Sequence, residues 1–220
     1  IATPSHTHYK FVKAAVAAGK HVYVEKPIAT SSKEAYELNQ IAENNEKVLM
    51  VGHLLLYHPA VNRLKSIVEE GVLGNIVYVQ SDRLNINFFR NDRSVMWDLA
   101  PHDLSMISYI LGLEPVSVKS AVGCSTHNNG IMDIVHLDIN FPHNIHAHIS
   151  NSWINPVKRV MLTIRGEKAT AVFDDTIMEN KIQIYSNSSP NSQMVEYPDY
   201  LEIEPLKLEC QHFINCIINK

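Results

Sequence analysis

Two stretches of this sequence combine side chains that can exchange protons. The first is Val22-Tyr23-Val24-Glu25-Lys26-Pro27. Val and Tyr at alternate places suit a buried strand, and Pro27 cannot continue a sheet ladder, so Glu25 and Lys26 fall at the strand's carboxyl end. Ligands of open α/β sheets gather at that end, which puts Lys26 over a crevice. The second is Trp97-Asp98-Leu99-Ala100-Pro101-His102-Asp103. Asp98 and His102 are four apart, so a helix stacks a carboxylate and an imidazole on one face. A histidine held by a carboxylate is suited to proton transfer near neutral pH. Pro101 belongs in a first helical turn, which predicts Asp98 as the N-cap; a helix that starts earlier is kinked at Pro101. Each stretch also has a plainer reading, a solvated lysine in one case and a cap beside a structural histidine in the other.

The elements around these stretches follow from periodicity. Ile1-Ala2-Thr3-Pro4 reads as the end of a strand whose start is absent. A helix follows, with Phe11, Ala14, Ala15 and Ala18 at helical spacing and Gly19 as its stop. After the Val22 strand, Ser31 and Glu34 form a capping box for a second helix that buries Ala35, Leu38 and Ala42. A third strand over 48–51 is closed by Gly52. Strand, helix, strand, helix, strand is half of a doubly wound sheet. Pro59 opens a helix with Val61, Leu64, Ile67 and Val68 on its apolar face. Strands are then predicted over 76–81, 116–122, 132–141, 145–152, 159–164, 169–173 and 182–185, with a helix over 98–111 among them and a last helix over 204–219.

Composition bounds the partners. A chain of 220 residues with 45% hydrophobic and 19% charged residues is an ordinary globular sequence of one or two domains. A formal net charge of -4 and the lack of a basic run exclude nucleic acid as a partner. No apolar stretch approaches the roughly 20 residues that span a bilayer, so a cytoplasmic protein with no membrane partner is expected. Cys124, Cys210 and Cys216 have no CxxC spacing; Cys210 and Cys216 are expected as buried thiols of a reducing compartment. His136, Asp138, His146 and His148 share a side of a predicted hairpin. A polar sheet face meeting solvent or a second subunit accounts for them better than a metal does, and no metal site is expected.

Taken together, these stretches resemble the Gfo/Idh/MocA family of nicotinamide-dependent oxidoreductases. The residues that carry the resemblance are Ile1-Ala2-Thr3-Pro4 with His8, Ala18-Gly19-Lys20-His21-Val22 running into Glu25-Lys26-Pro27, and Asp98 four before His102. The likeness extends over nearly the whole chain. It implies α/β plus α+β architecture: the C-terminal half of a doubly wound, parallel Rossmann sheet over 1–53, then a substrate-binding and oligomerisation domain over 54–220. That second domain would have a large, mainly antiparallel open sheet with helices on one face. The resemblance further implies NAD or NADP as cofactor, with Thr3, Pro4 and His8 along the dinucleotide and Glu25 and Lys26 at its nicotinamide end. Lys26 and His102 would flank the reacting carbon, and Asp98 would orient the substrate or His102.

The sequence departs from the family pattern in two ways. It contains no GxGxxG, the Gly-rich fingerprint that belongs before residue 1, so a truncated record is expected. Ala100 stands where the family commonly has Gly, and Ser105 where it commonly has Asp. The variant with Pro101, His102 and Asp103, together with Gly52-His53-Leu54-Leu55-Leu56-Tyr57-His58-Pro59, is similar to the branch that oxidises UDP-linked sugars at C3. Arg90 and Arg93 are the candidate diphosphate partners, and Tyr57 and Trp97 the other substrate contacts. The expected partners are a sugar or nucleotide-sugar substrate and further copies of the chain, as a homodimer or homotetramer through the open sheet face. The competing readings are a non-catalytic binding or assembly subunit with the family fold and, more distantly, a metal-dependent hydrolase.

Overall fold

The computed structural model describes residues 1–86, 93–126, 130–187 and 195–220. In chain order the elements are α1 (His8–Ala17), β1 (Val22–Glu25), α2 (Ser32–Asn44), β2 (Leu49–Gly52), α3 (Pro59–Glu69), β3 (Ile76–Ile86) and α4 (Val95–Leu111). They continue with β4 (Ser117–Cys124), β5 (Ile134–Asn140), β6 (His146–Ser152), β7 (Ile154–Gly166), β8 (Ala169–Asp174), β9 (Ile182–Ser186), β10 (Val195–Glu196) and α5 (Pro205–Ile218). The chain forms two compact units, one from Ile1–His58 with Ile203–Lys220 and one from Pro59–Glu202.

The first unit is a βαβ motif. β1 and β2 pair in parallel, with Val22 opposite Leu49 and Glu25 opposite Gly52, and α2 makes the crossover. Ile1 flanks β1 on its other side, where its carbonyl accepts the Glu25 N–H at 2.9 Å. Val12, Val16, Val22, Val24, Ala29 and Leu38 form one buried cluster, so β1 and α2 meet as the periodicity predicts; α1 departs from it, turning His8, Val12 and Val16, each four apart, inward and leaving Phe11, Ala14 and Ala18 exposed. α1 ends where expected: Gly19 has φ +76°, and the Lys20 N–H returns to the Ala15 carbonyl. Ser31 caps α2 by accepting the Glu34 N–H at 3.2 Å, while the Glu34 carboxylate accepts from the Thr30 hydroxyl.

The last helix belongs to this unit, so the compact units differ from the contiguous segments 1–53 and 54–220. Glu204 caps α5 by accepting the Leu206 and Lys207 N–H groups, and Pro205 occupies its first turn. Phe213 then lies 5.7 Å from the Tyr23 ring, and His212 Nδ1 hydrogen-bonds the Tyr57 hydroxyl at 2.7 Å. Cys210 is exposed, against expectation, and Cys216 is half-buried. The two are six residues apart, which places them about 240° apart around a helix, and only Cys216 follows Glu209 and Phe213 on the inward side.

The second unit is an eight-stranded sheet in the order β10-β9-β8-β7-β3-β6-β5-β4. β3 and β6 run parallel; all other neighbouring pairs are antiparallel. Val135, Leu137 and Ile139 on β5, Ala147 and Ile149 on β6, and Leu162 and Ile164 on β7 are buried on one face, and α4 packs against that face with α3 beside it. The other face carries Tyr78, Gln80, His136, Asp138, His146 and His148, the alternation of a half-solvated sheet.

β3 outruns its predicted end because Ser81 and Arg83 are polar residues at inward positions, which breaks the alternation that marks a strand in sequence. Both bond Asp103 of α4. α4 also starts earlier than predicted. The Val95 N–H is held by the Met132 carbonyl, Ser94 takes the N-cap place, and Pro101 lies inside the helix. Asp98 is therefore in the first turn and is not the cap. A tertiary hydrogen bond that sequence does not display decides this end.

Candidate active site

The strand ends of the first unit bring a carboxylate, an ammonium, a hydroxyl and an imidazole together. Glu25 and Lys26 leave the end of β1, Glu25 exposed and Lys26 half-buried, and the Lys26–Pro27 peptide is cis. Tyr23 lies two residues before Glu25 on the same side of the strand, and Gly52 lies opposite Glu25. His53 follows directly. Its Nδ1 is buried with no hydrogen-bond partner among the described residues, and burial, reinforced by the Lys26 charge and opposed by Glu25, lowers its pKa. A neutral imidazole thus adjoins the lysine. Glu209 reaches the same place from α5. It is 1% exposed, bonds the Tyr23 hydroxyl, and among the described residues its Oε1 has no hydrogen-bond partner. Burial raises Glu209 above the usual carboxylate range, with the Tyr23 hydrogen bond opposing and the Glu25 charge adding to it.

The residues expected along a dinucleotide divide. Thr3 and Pro4 are exposed in the turn before α1, where the Thr7 hydroxyl donates to the Pro4 carbonyl and meets the Thr3 hydroxyl, each at 2.7 Å. His8 is different. Its side chain is 1% exposed, and its two ring nitrogens lie 2.7 Å from the carbonyl oxygens of Thr3 and Pro27. An imidazole has no third nitrogen, so His8 ties the Thr3 turn to the Pro27 turn and offers nothing to a ligand directly. The Tyr57 hydroxyl lies 2.7 Å from His212 Nδ1 of α5.

In the second unit, Asp98 and His102 occupy successive turns of α4, Asp98 6% exposed and His102 half-buried. The neighbouring Asp103 anchors the helix. Its Oδ1 accepts from Ser81 Oγ at 2.9 Å and from Arg83 Nε and Nη2 at 3.1 and 3.0 Å, and its Oδ2 accepts from Asn151 Nδ2 at 2.8 Å. Arg83 is also a half-buried cation paired with a fully buried carboxylate. Trp97, 49% exposed, lies on a different flank of α4 and borders an apolar groove of about 360 Å3 with Pro101, Leu104, Val118 and Leu137. Arg93 is half-buried just before Ser94. Arg90 lies outside the described residues.

Sequence reasoning missed Tyr23, Gly52, His53 and Glu209 in one unit, and Asp103, Arg83, Ser81 and Asn151 in the other. A signal existed for Glu209: it shares the helical spacing of Phe213 and Cys216, so a carboxylate stands on an apolar stripe. Among the described residues, no group of three or more His, Cys, Asp or Glu is arranged to hold a metal ion. The residues at the β1 and β2 ends do fit a polar organic ligand: an exposed carboxylate, a lysine, and Gly52, whose Cβ position lies 3.4 Å from Glu25 Oε1 and from Tyr23 Oη.

The chain thus carries a parallel βαβ unit with charged strand ends and a mixed-sheet unit whose helix α4 bears Asp98 and His102. Residues 1–53 match the oxidoreductase family with an NAD-binding Rossmann fold, and residues 61–172, just over half of the chain, match the GFO/IDH/MocA C-terminal domain. The chain belongs to the Gfo/Idh/MocA family, and its cofactor is a nicotinamide dinucleotide, NAD or NADP. It is 26% identical to UDP-N-acetylglucosamine 3-dehydrogenase of Acidithiobacillus ferrooxidans over 99% of this chain and 69% of that protein. A solved structure of that enzyme superposes with a TM-score of 0.84, covering 99% of this chain and 68% of the other. The uncharacterized oxidoreductase YdgJ of Escherichia coli (strain K12) is 33% identical over 64% of this chain and 43% of that protein, so this chain spans less than half of that relative's length. The aldose-aldose oxidoreductase of Caulobacter crescentus, at 20% identity, shares the fold with a TM-score of 0.85 over 99% of this chain and 68% of that one.

Proposed function

We propose that the natural gene product oxidises a secondary alcohol of a sugar, with a nucleotide-linked sugar as its substrate and Lys26, His102 and Asp98 as the groups that handle the proton. Oxidising such an alcohol requires a hydride to leave carbon and a proton to leave oxygen, with the C–O bond becoming a carbonyl. The dinucleotide supplies the hydride acceptor. A neutral His102 imidazole takes the hydroxyl proton, and the Lys26 ammonium stabilises the oxygen as negative charge develops on it. Asp98, one helical turn before His102, orients the imidazole or the substrate. Glu25 and Lys26 hold the nicotinamide end, Thr3 and Pro4 border the dinucleotide, and Arg90 and Arg93 meet the diphosphate of the substrate.

The observation that carries this reading is the placement of Asp98 and His102 on successive turns of a helix fixed by the buried Asp103, in a chain whose likeness to a UDP-sugar 3-dehydrogenase extends over 99% of its length. The exposed free thiols of Cys124 and Cys210 suit a reducing cytoplasm. The polar sheet face suits pairing with a second copy of the chain. The substrate is tested by incubating the natural gene product with NAD or NADP and a panel of UDP-sugars, free sugars and inositols, followed by absorbance of the reduced cofactor. Reduction with UDP-sugars supports the assignment. Activity confined to free polyols removes the nucleotide-sugar part of it.

A further inference from the structure

One buried imidazole stands outside the proton chemistry, and its bonds fix its charge. His8, the first residue of α1, is 1% exposed. Its Nδ1 lies 2.7 Å from the Pro27 carbonyl oxygen and its Nε2 2.7 Å from the Thr3 carbonyl oxygen. A carbonyl oxygen only accepts, so each contact needs a hydrogen on the ring nitrogen. A neutral imidazole carries one such hydrogen and an imidazolium carries two. With one nitrogen bare, lone pairs would face each other across one of these contacts, in a place too buried for either to turn to solvent.

No carboxylate shares the charge. Tyr9 and the Glu37 carboxylate of α2 are both bonded to Lys13, at 3.2 and 2.8 Å, and the Glu34 carboxylate accepts from Thr30. His6, Lys10 and Glu25 are exposed, and Lys26 is half-buried next to Pro27. Among the described residues, the bonds of His8 run to the two carbonyls alone. Both carbonyls belong to strand ends. Ile1 bonds the backbone of Tyr23 and Glu25 in the pattern of a parallel neighbour of β1, so the Thr3 turn and the Pro27 turn leave the sheet at the same end. Charge-assisted bonds from one ring thus join two turns that nothing in the sheet ladder holds together.

We propose that His8 is an imidazolium and serves as a positioning residue: its two donated bonds hold the Pro27 turn, and with it Lys26, in the place from which the ammonium meets the substrate oxygen. This rests on the reading of Lys26 as the group that stabilises the developing alkoxide. A His8 that loses its proton keeps only one of the two bonds, so the tie is complete at the acid end of the pH range and loosens as pH rises.

Nitrogen-15 spectra of the natural gene product labelled at histidine read the charge, the His8 signals being those lost in His8→Gln. Two protonated ring nitrogens are expected at neutral pH, and one bare nitrogen overturns the proposal. Turnover and NADH affinity read the positioning, with thermal unfolding as the check on folding. His8→Ala removes both donors and is expected to lower turnover ~10- to 10²-fold, the scale of a catalytic group displaced by about 1 Å, with a smaller change in NADH affinity. His8→Gln brings an amide nitrogen with two hydrogens and is expected to recover most of that turnover. Wild-type turnover in a folded His8→Ala overturns the positioning. Where His8→Ala does not fold, His8→Gln decides: turnover near wild type supports the tie, and turnover as low as in Lys26→Ala overturns it. Unchanged turnover in Lys26→Ala removes the role of Lys26, and the positioning with it, while the charge of His8 stands or falls on the spectrum.

Discussion

Two buried carboxylates, one in each unit, are treated in opposite ways. Asp103 is 0% exposed and receives donors from Ser81, Arg83 and Asn151 on both of its oxygens. Glu209 is 1% exposed and receives one hydroxyl, and among the described residues its second oxygen has no hydrogen-bond partner and no cation acts on it. A carboxylate satisfied on every side is a rivet: it fixes α4 against β3 and β6 and so fixes the direction in which Asp98 and His102 face. A carboxylate left half-satisfied gains nothing for the fold, and it stands beside the strand ends where ligands of α/β sheets gather. The two buried carboxylates thus differ in how far their oxygens are satisfied.

The sharpest way to break this contrast is to remove each group in turn. Asp103→Ala strands the half-buried Arg83 charge and is expected to cost the second unit about 3–5 kcal/mol, seen as a lower denaturant midpoint. Glu209→Gln keeps the Tyr23 bond and gives up a poorly solvated carboxyl, so its stability is expected to stay within about 0.5 kcal/mol of wild type. Equal losses in the two variants would erase the distinction.

A smaller effect belongs to the open sheet face. The His148 hydrogen bond, then that of Ser120, lowers Asp138 from an ordinary 3.8 to about 2. A depressed carboxyl stabilises the folded state above its unfolded pKa, and the benefit is lost as pH falls from about 4 to about 2. Asp138 is part-exposed, so solvent screening keeps this below about 1 kcal/mol. Asp138→Asn is expected to flatten the acid limb of stability over that window. Light scattering is expected to find a dimer or larger at neutral pH that loosens as the face is acidified. A monomer at high micromolar concentration would contradict self-association.

Much of the fold was legible in the sequence because its signals are local. Leu38 and Ala42 and the alternation of Val135 to Ile139 report which side faces the core, and Gly19, Ser31 and Pro59 mark helix ends with their own backbone chemistry, whereas α1 buries Val12 and Val16 and not the stripe through Phe11. Legibility stopped where a distant partner decides. Val95 starts α4 because the Met132 carbonyl holds its N–H, and β3 continues past Ser81 because Asp103 satisfies polar residues on the apolar side. The site behaved in the same way. Lys26 and the Asp98–His102 pair stand out by type and spacing, whereas the partners that hold His8 and Tyr57, namely Thr3, Pro27 and His212, are seen only in the fold. Glu209 lies 184 positions beyond Glu25 in the chain, and only folding reveals that they share a corner.

The central claim is that His102 handles the substrate proton while the first unit holds the cofactor. It is tested most directly by comparing turnover and NADH affinity in His102→Ala of the natural gene product. The expected result is turnover lowered ~10² to 10⁴-fold with NADH affinity and thermal unfolding unchanged, because the imidazole acts chiefly while the proton moves. Wild-type turnover in His102→Ala, or a loss of turnover matched by an equal loss of NADH affinity, would contradict it.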